Sequence, residues 1–102
     1  MITAVLEARD YLTEKGGIVQ SALRLGEAVV GQLKEADEVE ISLVDFRGAP
    51  SSFFNALLGT VLEEMGHEAV VRRVRFRFDS RAQEFVYRRS LAAVVSPQTG
   101  RR

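Results

Sequence analysis

Apolar positions along this chain switch between two spacings, and the switches divide it into six elements. Glu38 to Val44 alternates strictly: Val39, Ile41 and Leu43 point one way, while Glu38, Glu40 and Ser42 point the other. That period of two predicts a half-buried strand. Arg73 to Phe78 has the same form, with Val74, Phe76 and Phe78 opposed to Arg73, Arg75 and Arg77. Ile2 to Leu6 reads as a shorter first strand that extends through Tyr11-Leu12, before a turn over Thr13 to Gly17. Paired glycines there supply the positive φ a tight reversal needs.

Between the strands the spacing lengthens to three and four. Ala22, Leu25, Val29 and Leu33, widened by Leu23 and Val30, predict a helix over about 18–34, opened at Gly17 or capped by Ser21. Phe54, Leu57, Leu58, Val61, Leu62 and Met65 form a second stripe, starting near Ser51 and ending at Gly66, a left-handed C-cap position. One of Ser51 and Ser52 is expected to cap it. Gly59 inside it costs about 1 kcal/mol relative to Ala, which is tolerable if another backbone packs closely there. Ser80-Arg81-Ala82-Gln83 has the form of a capping box, and its helix runs through Phe85, Val86 and Leu91 to Val95, before Pro97.

The order is β-α-β-α-β-α, with crossovers long enough for parallel pairing. Alternating rather than continuously apolar strands place the helices mainly on one face of the sheet. At 102 residues, with 46% hydrophobic content, the chain supports one α/β domain and one core. The domain is assigned to residues 1–96, and residues 97–102 to a flexible C-terminal tail.

Composition removes several classes of chemistry. With no cysteine and a single histidine, His67, disulfides, thiolate catalysis and Cys- or His-rich metal sites are excluded. No apolar run approaches the ~20 residues of a membrane helix, and the first residues lack the pattern of a signal peptide. The expected address is cytoplasmic, with no membrane contact.

Net charge is zero but unevenly spread. Residues 1–65 carry five basic and eleven acidic side chains, and residues 66–102 carry nine arginines against three acids, giving −6 and +6. Such asymmetry fits a nucleic-acid face, a contact between copies, or internal pairing. Arg73, Arg75 and Arg77 share an outer sheet face with Glu38 and Glu40, which predicts cross-strand ion pairs rather than a phosphate-binding stripe. RNA-binding sheets also expose aromatics beside their basic groups, whereas Phe76 and Phe78 point the other way.

Asp45 and Asp79 both follow parallel strands and so fall at one sheet edge, where two carboxylates are able to hold Mg²⁺. The simpler reading is local: Asp79 supports the helix start and Asp45 shapes its loop. Without a catalytic constellation, no enzyme activity and no cofactor are expected.

The least generic stretch is Leu43-Val44-Asp45-Phe46-Arg47-Gly48-Ala49-Pro50-Ser51-Ser52-Phe53-Phe54-Asn55-Ala56-Leu57. It resembles the STAS-like bacterial domains of unknown function, relatives of sulphate-transporter and anti-sigma-factor-antagonist (STAS) domains. Those have a strand ending in an Asp-Phe-x-Gly-type turn, then a Ser-Phe opening a helix. The resemblance implies a four-stranded mixed sheet with helices chiefly on one side. It also implies partner switching, in which a histidine-kinase-like ATPase binds and then phosphorylates a serine at this helix start, breaking the complex. Ser51 or Ser52 matches that place. Antagonists typically carry Asp-Ser-Ser-Gly, whereas this chain has Pro50-Ser51-Ser52-Phe53.

The expectation is therefore a non-catalytic regulatory domain that docks a protein partner, such as a histidine-kinase-like ATPase, through the strand-turn-helix at 45–58. Asp45, Arg47, Phe53 and Asn55 are the docking residues expected beside Ser51 and Ser52. The alternatives are a nucleic-acid binder using the Arg-rich strand 72–77 and the last helix, and a self-associating subunit such as a homodimer.

Overall fold

A computed structural model describes residues 1–12, 16–46 and 48–95. Residues 13–15 of the expected turn, the docking residue Arg47 and the tail with Pro97 lie outside them. Three strands, β1 (Thr3–Glu7), β2 (Glu38–Ser42) and β3 (Val74–Arg77), pair side by side in sequence order. Both pairings are parallel, with Val5 beside Glu40 and Glu40 beside Arg75.

The four-stranded mixed sheet is thus corrected to three parallel strands among the described residues. The cause is in the connections. Each joins its strands through a long helix, α1 (Gly17–Leu33) or α2 (Ser51–Met65), and a helical crossover returns the chain parallel. Among the described residues no hairpin supplies an antiparallel partner.

Strand order 1-2-3 also explains the layering. Crossovers between parallel strands are right-handed as a rule, and two that step in the same direction put both helices on one side of the sheet. Val39 and Ile41 are fully buried and Val74 nearly so, beneath α1 and α2. The opposite face carries Glu38, Glu40, Arg75 and Arg77 at the alternate positions. Helix α3 (Arg81–Val95) packs against the far flank of α2 and buries only Gln83 and Ser90 fully.

Several boundaries differ from the sequence reading. β1 stops at Glu7, and Ala8–Tyr11 form a 3₁₀ turn instead of continuing the strand. Of the two α1 starts, Gly17 is the observed one, with φ +75°; Ser21 is inside the helix and donates back to the Gly17 carbonyl at 3.1 Å. β2 ends at Ser42, although the Leu43 amide still donates to Arg77 O at 2.8 Å. Arg73 belongs not to β3 but to a π-helical turn, Ala69–Arg73.

The close helix–helix approach falls at Gly26, not Gly59. A Cβ built on Gly26 would lie 2.9 Å from Thr60 Cβ, whereas one on Gly59 meets nothing within 4 Å. Thr60 cannot easily swing away, because its hydroxyl donates to Ala56 O at 2.9 Å. Two glycine substitutions should therefore differ in sign. Gly59→Ala should raise stability by about 0.5–1 kcal/mol. Gly26→Ala should lower it by about 1 kcal/mol, overpacking outweighing the gain in helix propensity. Urea titration checks both, and Gly26→Ala should cost less beside Thr60→Gly, which removes the contacted Cβ, than beside Thr60.

Candidate functional site

The turn after β2 takes its shape from two left-handed residues. Asp45 has φ +62° and Gly48 φ +67°. Glycine adopts that region freely, and aspartate more readily than most residues. The Phe46 amide donates to Leu43 O at 3.0 Å, closing the first reversal. Between the two, Phe46 is driven fully into the core. The Asp-Phe-x-Gly pattern is therefore a double reversal pinned by an aromatic plug.

Gln83 of α3 fixes this turn from outside. Its Nε2 donates to Phe46 O at 2.6 Å, and its Oε1 accepts from the Asp79 amide at 2.7 Å. Its own amide donates to Ser80 Oγ at 3.2 Å, so the capping box forms. It differs from the expected pattern in one respect, since Gln83 reaches the amide before the cap residue. One buried glutamine thus joins the end of β3, the start of α3 and the turn after β2.

The first turn of α2 is built differently from the expected one. Pro50 is the N-cap (φ −80°, ψ 171°), and its carbonyl accepts from Phe53 N at 3.0 Å. Neither serine caps the helix: Ser51 and Ser52 are already its first two residues, and no side-chain cap bond is made. The fixed φ of proline suits this extended position, which displaces the serines one step into the helix. Both are exposed, as is Asn55.

Phe53, expected at the docking surface, is corrected to the core. It is fully buried, with its ring centre 4.7 Å from Phe46 and 5.2 Å from Phe54. The reason is helical spacing: position 53 lies one turn before Leu57 and shares its inward stripe. Phe85, by contrast, is 61% exposed. Phe85 and Arg89 of α3 face Ser51 and Asn55 of α2 across an open groove of about 360 Å³, floored by Val86 and Ser90. The Arg89 guanidinium lies 5.9 Å from the Phe85 ring centre. Ser90 Oγ reaches Ser51 O at 3.5 Å, so α3 is anchored at the base of the same groove.

Asp45 stands exposed at the sheet edge, and its carboxylate accepts from Arg9 Nη1 at 2.7 Å. That partner neutralises it, and no cluster of three metal-ligating side chains occurs among the described residues. The arginines of β3 are paired across the open sheet face. Arg75 lies 3.7 Å from Glu38, and Arg77 3.7 Å from Glu40. Arg73 leaves that face altogether, donating to the carbonyls of Leu33, Ala36 and Asp37 at 2.7–2.9 Å. Burial pushes the Tyr87 phenol above its usual pKa, against a smaller opposing pull from Arg88. That ring packs 4.7 Å from Phe76 as part of the core.

Residues 21–78, which span α1 from its first turns, β2, the double reversal, α2 and β3, match the model of the STAS-like domain of unknown function (DUF4325). The chain belongs to this family. The match covers more than half of its 102 residues and includes both the Asp45–Gly48 reversal and the first turn of α2. No curated protein and no solved structure matches the chain. In this STAS-like domain, α3 lies beyond the matched segment, so Phe85 and Arg89 extend the groove outside it. No helix among the described residues is long and apolar enough to cross a membrane.

Proposed function

We propose that this STAS-like chain is a non-catalytic regulatory domain that docks a protein partner along the strip from Asp45 to Leu58. The observation that carries the reading is the groove beside the first turn of α2, where exposed Ser51 and Asn55 face exposed Phe85 and Arg89. Aromatic and arginine side chains are the types that anchor protein interfaces. Both stand here on one helix, α3, rather than on loops. The partner class is a histidine-kinase-like ATPase, by the resemblance of the turn and helix start to anti-sigma-factor antagonists. Arg47, outside the described residues, completes the same stretch of chain.

The same place suits a switch by charge. Amides in the first turn of a helix lack intrahelical partners and favour a phosphate nearby. A phosphate on Ser51 or Ser52 would add about −1.5 to −2 charges. A partner surface matched to the neutral hydroxyl would then face a desolvated anion. Ser51 lines the groove and Ser52 does not, so Ser51 is the stronger candidate.

The test is titration calorimetry with histidine-kinase-like ATPases from the same source. Ser51→Asp is expected to weaken binding at least about tenfold, roughly 1.4 kcal/mol, and Ser52→Asp to weaken it less. Equal binding by wild type and both variants would sink the switch.

A further inference from the structure

A second groove, of about 470 Å³, runs on the other flank of α2 and is lined by Leu23, Glu27, Val30, Thr60, Glu63 and Glu64. Its floor is apolar, since Val30 is nearly buried and Leu23 is 40% exposed. Its rim is three exposed glutamates in no ion pair among the described residues. Across α2 stands its complement: Phe85, 61% exposed, with Arg89 over its ring. Arg88 is held by Glu84 at 2.8 Å, but Arg89 makes no ion pair among the described residues. An apolar floor rimmed by carboxylates fits an aromatic flanked by a guanidinium, and both halves of that match occur on this one chain.

Neither groove is lined by a strand residue, so both open on the outer side of the helical layer. Two patches on one face can be exchanged by a two-fold axis lying between the facing layers. Each copy then offers Phe85 and Arg89 to the other's glutamate groove, giving two equivalent contacts and a closed assembly. We propose that the chain forms an isologous dimer through its helical layer, Phe85 and Arg89 of each copy seating against Leu23, Glu27, Glu63 and Glu64 of the other. The dimer stands independently of the docking reading. Because Phe85 and Arg89 also line the Ser51 groove, a second copy and a docked partner exclude each other there.

Analytical ultracentrifugation with charge-reversed variants tests this. In ~0.01 M salt the wild-type mass should rise with concentration toward twice the 11.3 kDa monomer. In ~1 M salt, where the screening length shrinks to about 3 Å, it should return to monomer. Arg89→Glu alone and the Glu63→Arg/Glu64→Arg pair alone should each be monomeric, their contacts placing like charges together. Mixed, they should dimerise again, because both contacts in the heterodimer then join opposite charges. A monomeric wild type at every concentration in low salt would overturn the proposal. So would variants that dimerise alone, or a mixture that fails to recover. Unchanged circular dichroism and melting of each variant separate these outcomes from misfolding.

Discussion

Replacing Phe54 by Ala should lower stability by about 3–5 kcal/mol, and the loss should fall first on α3. Phe54 is fully buried at the junction of three elements, its ring centre 5.2 Å from Phe53, 5.7 Å from Phe76 and 5.7 Å from Tyr87. These edge-on contacts add to the area its side chain removes from water. Helix α3 is otherwise held by the hydrogen bonds of Gln83 and Ser90 and by Tyr87 against Phe76 and Phe78. Its apolar residues Val86, Tyr87, Leu91, Val94 and Val95 are only half-buried, and its two fully buried side chains are polar. An emptied Phe54 site removes one of the three rings that surround Tyr87. In hydrogen exchange, amides of 81–95 should lose protection before those of α1. Phe54→Leu, which keeps most of the volume, should retain α3 protection. Equal loss in α1 and α3 would show that α3 is as firmly integrated as the rest.

Arg73→Ala should be the most damaging change at a residue that is not fully buried, at about 2–3 kcal/mol. Its guanidinium donates to Leu33 O at 2.7 Å, Ala36 O at 2.9 Å and Asp37 O at 2.9 Å. These carbonyls belong to the end of α1 and its link to β2, where helical partners run out. A cation there also meets the negative end of the helix dipole. The charge is the smaller part. Arg73→Lys keeps it but loses the planar fork that serves three acceptors, so it should recover only about 0.3–1 kcal/mol. Denaturant midpoints of the two variants check this, and a Lys variant as stable as wild type would contradict it.

Arg73 also shows where the residue pattern stops being informative. Its alternation with Arg75 and Arg77 is real, yet a π-helical turn ends just there and carries its side chain off the sheet. Periodicity reports the element a residue continues, not the one it terminates. Elsewhere it served well. Val39, Ile41, Leu25, Val29, Leu57 and Val61 are all fully buried, and the Glu38–Arg75 and Glu40–Arg77 pairs span β2 and β3. The residues themselves supported three strands; the fourth entered only through the family resemblance.

The groove was harder to read for a reason of the same kind. α3 turns polar Gln83 and Ser90 inward, so its buried stripe does not coincide with its apolar letters, and Phe85 falls off it. Phe53 misleads the other way, because its place beside two exposed serines hides its spacing with Leu57. Pro50 as N-cap was legible only once the backbone was seen, since serine is the commoner choice. The Arg9–Asp45 bond joins residues 36 apart and leaves no local signal.

The central claim is that the Asp45–Leu58 strip, and not the open sheet face, meets the partner. Photo-crosslinking settles it most directly, with a photoreactive amino acid placed at Asn55 in one variant and at Arg75 in another. Each is irradiated with the purified histidine-kinase-like ATPase from the same source. The expected result is a crosslinked product from position 55, lost when Ser51→Asp is added, and none from position 75. Crosslinking from position 75 without any from position 55 would contradict the account.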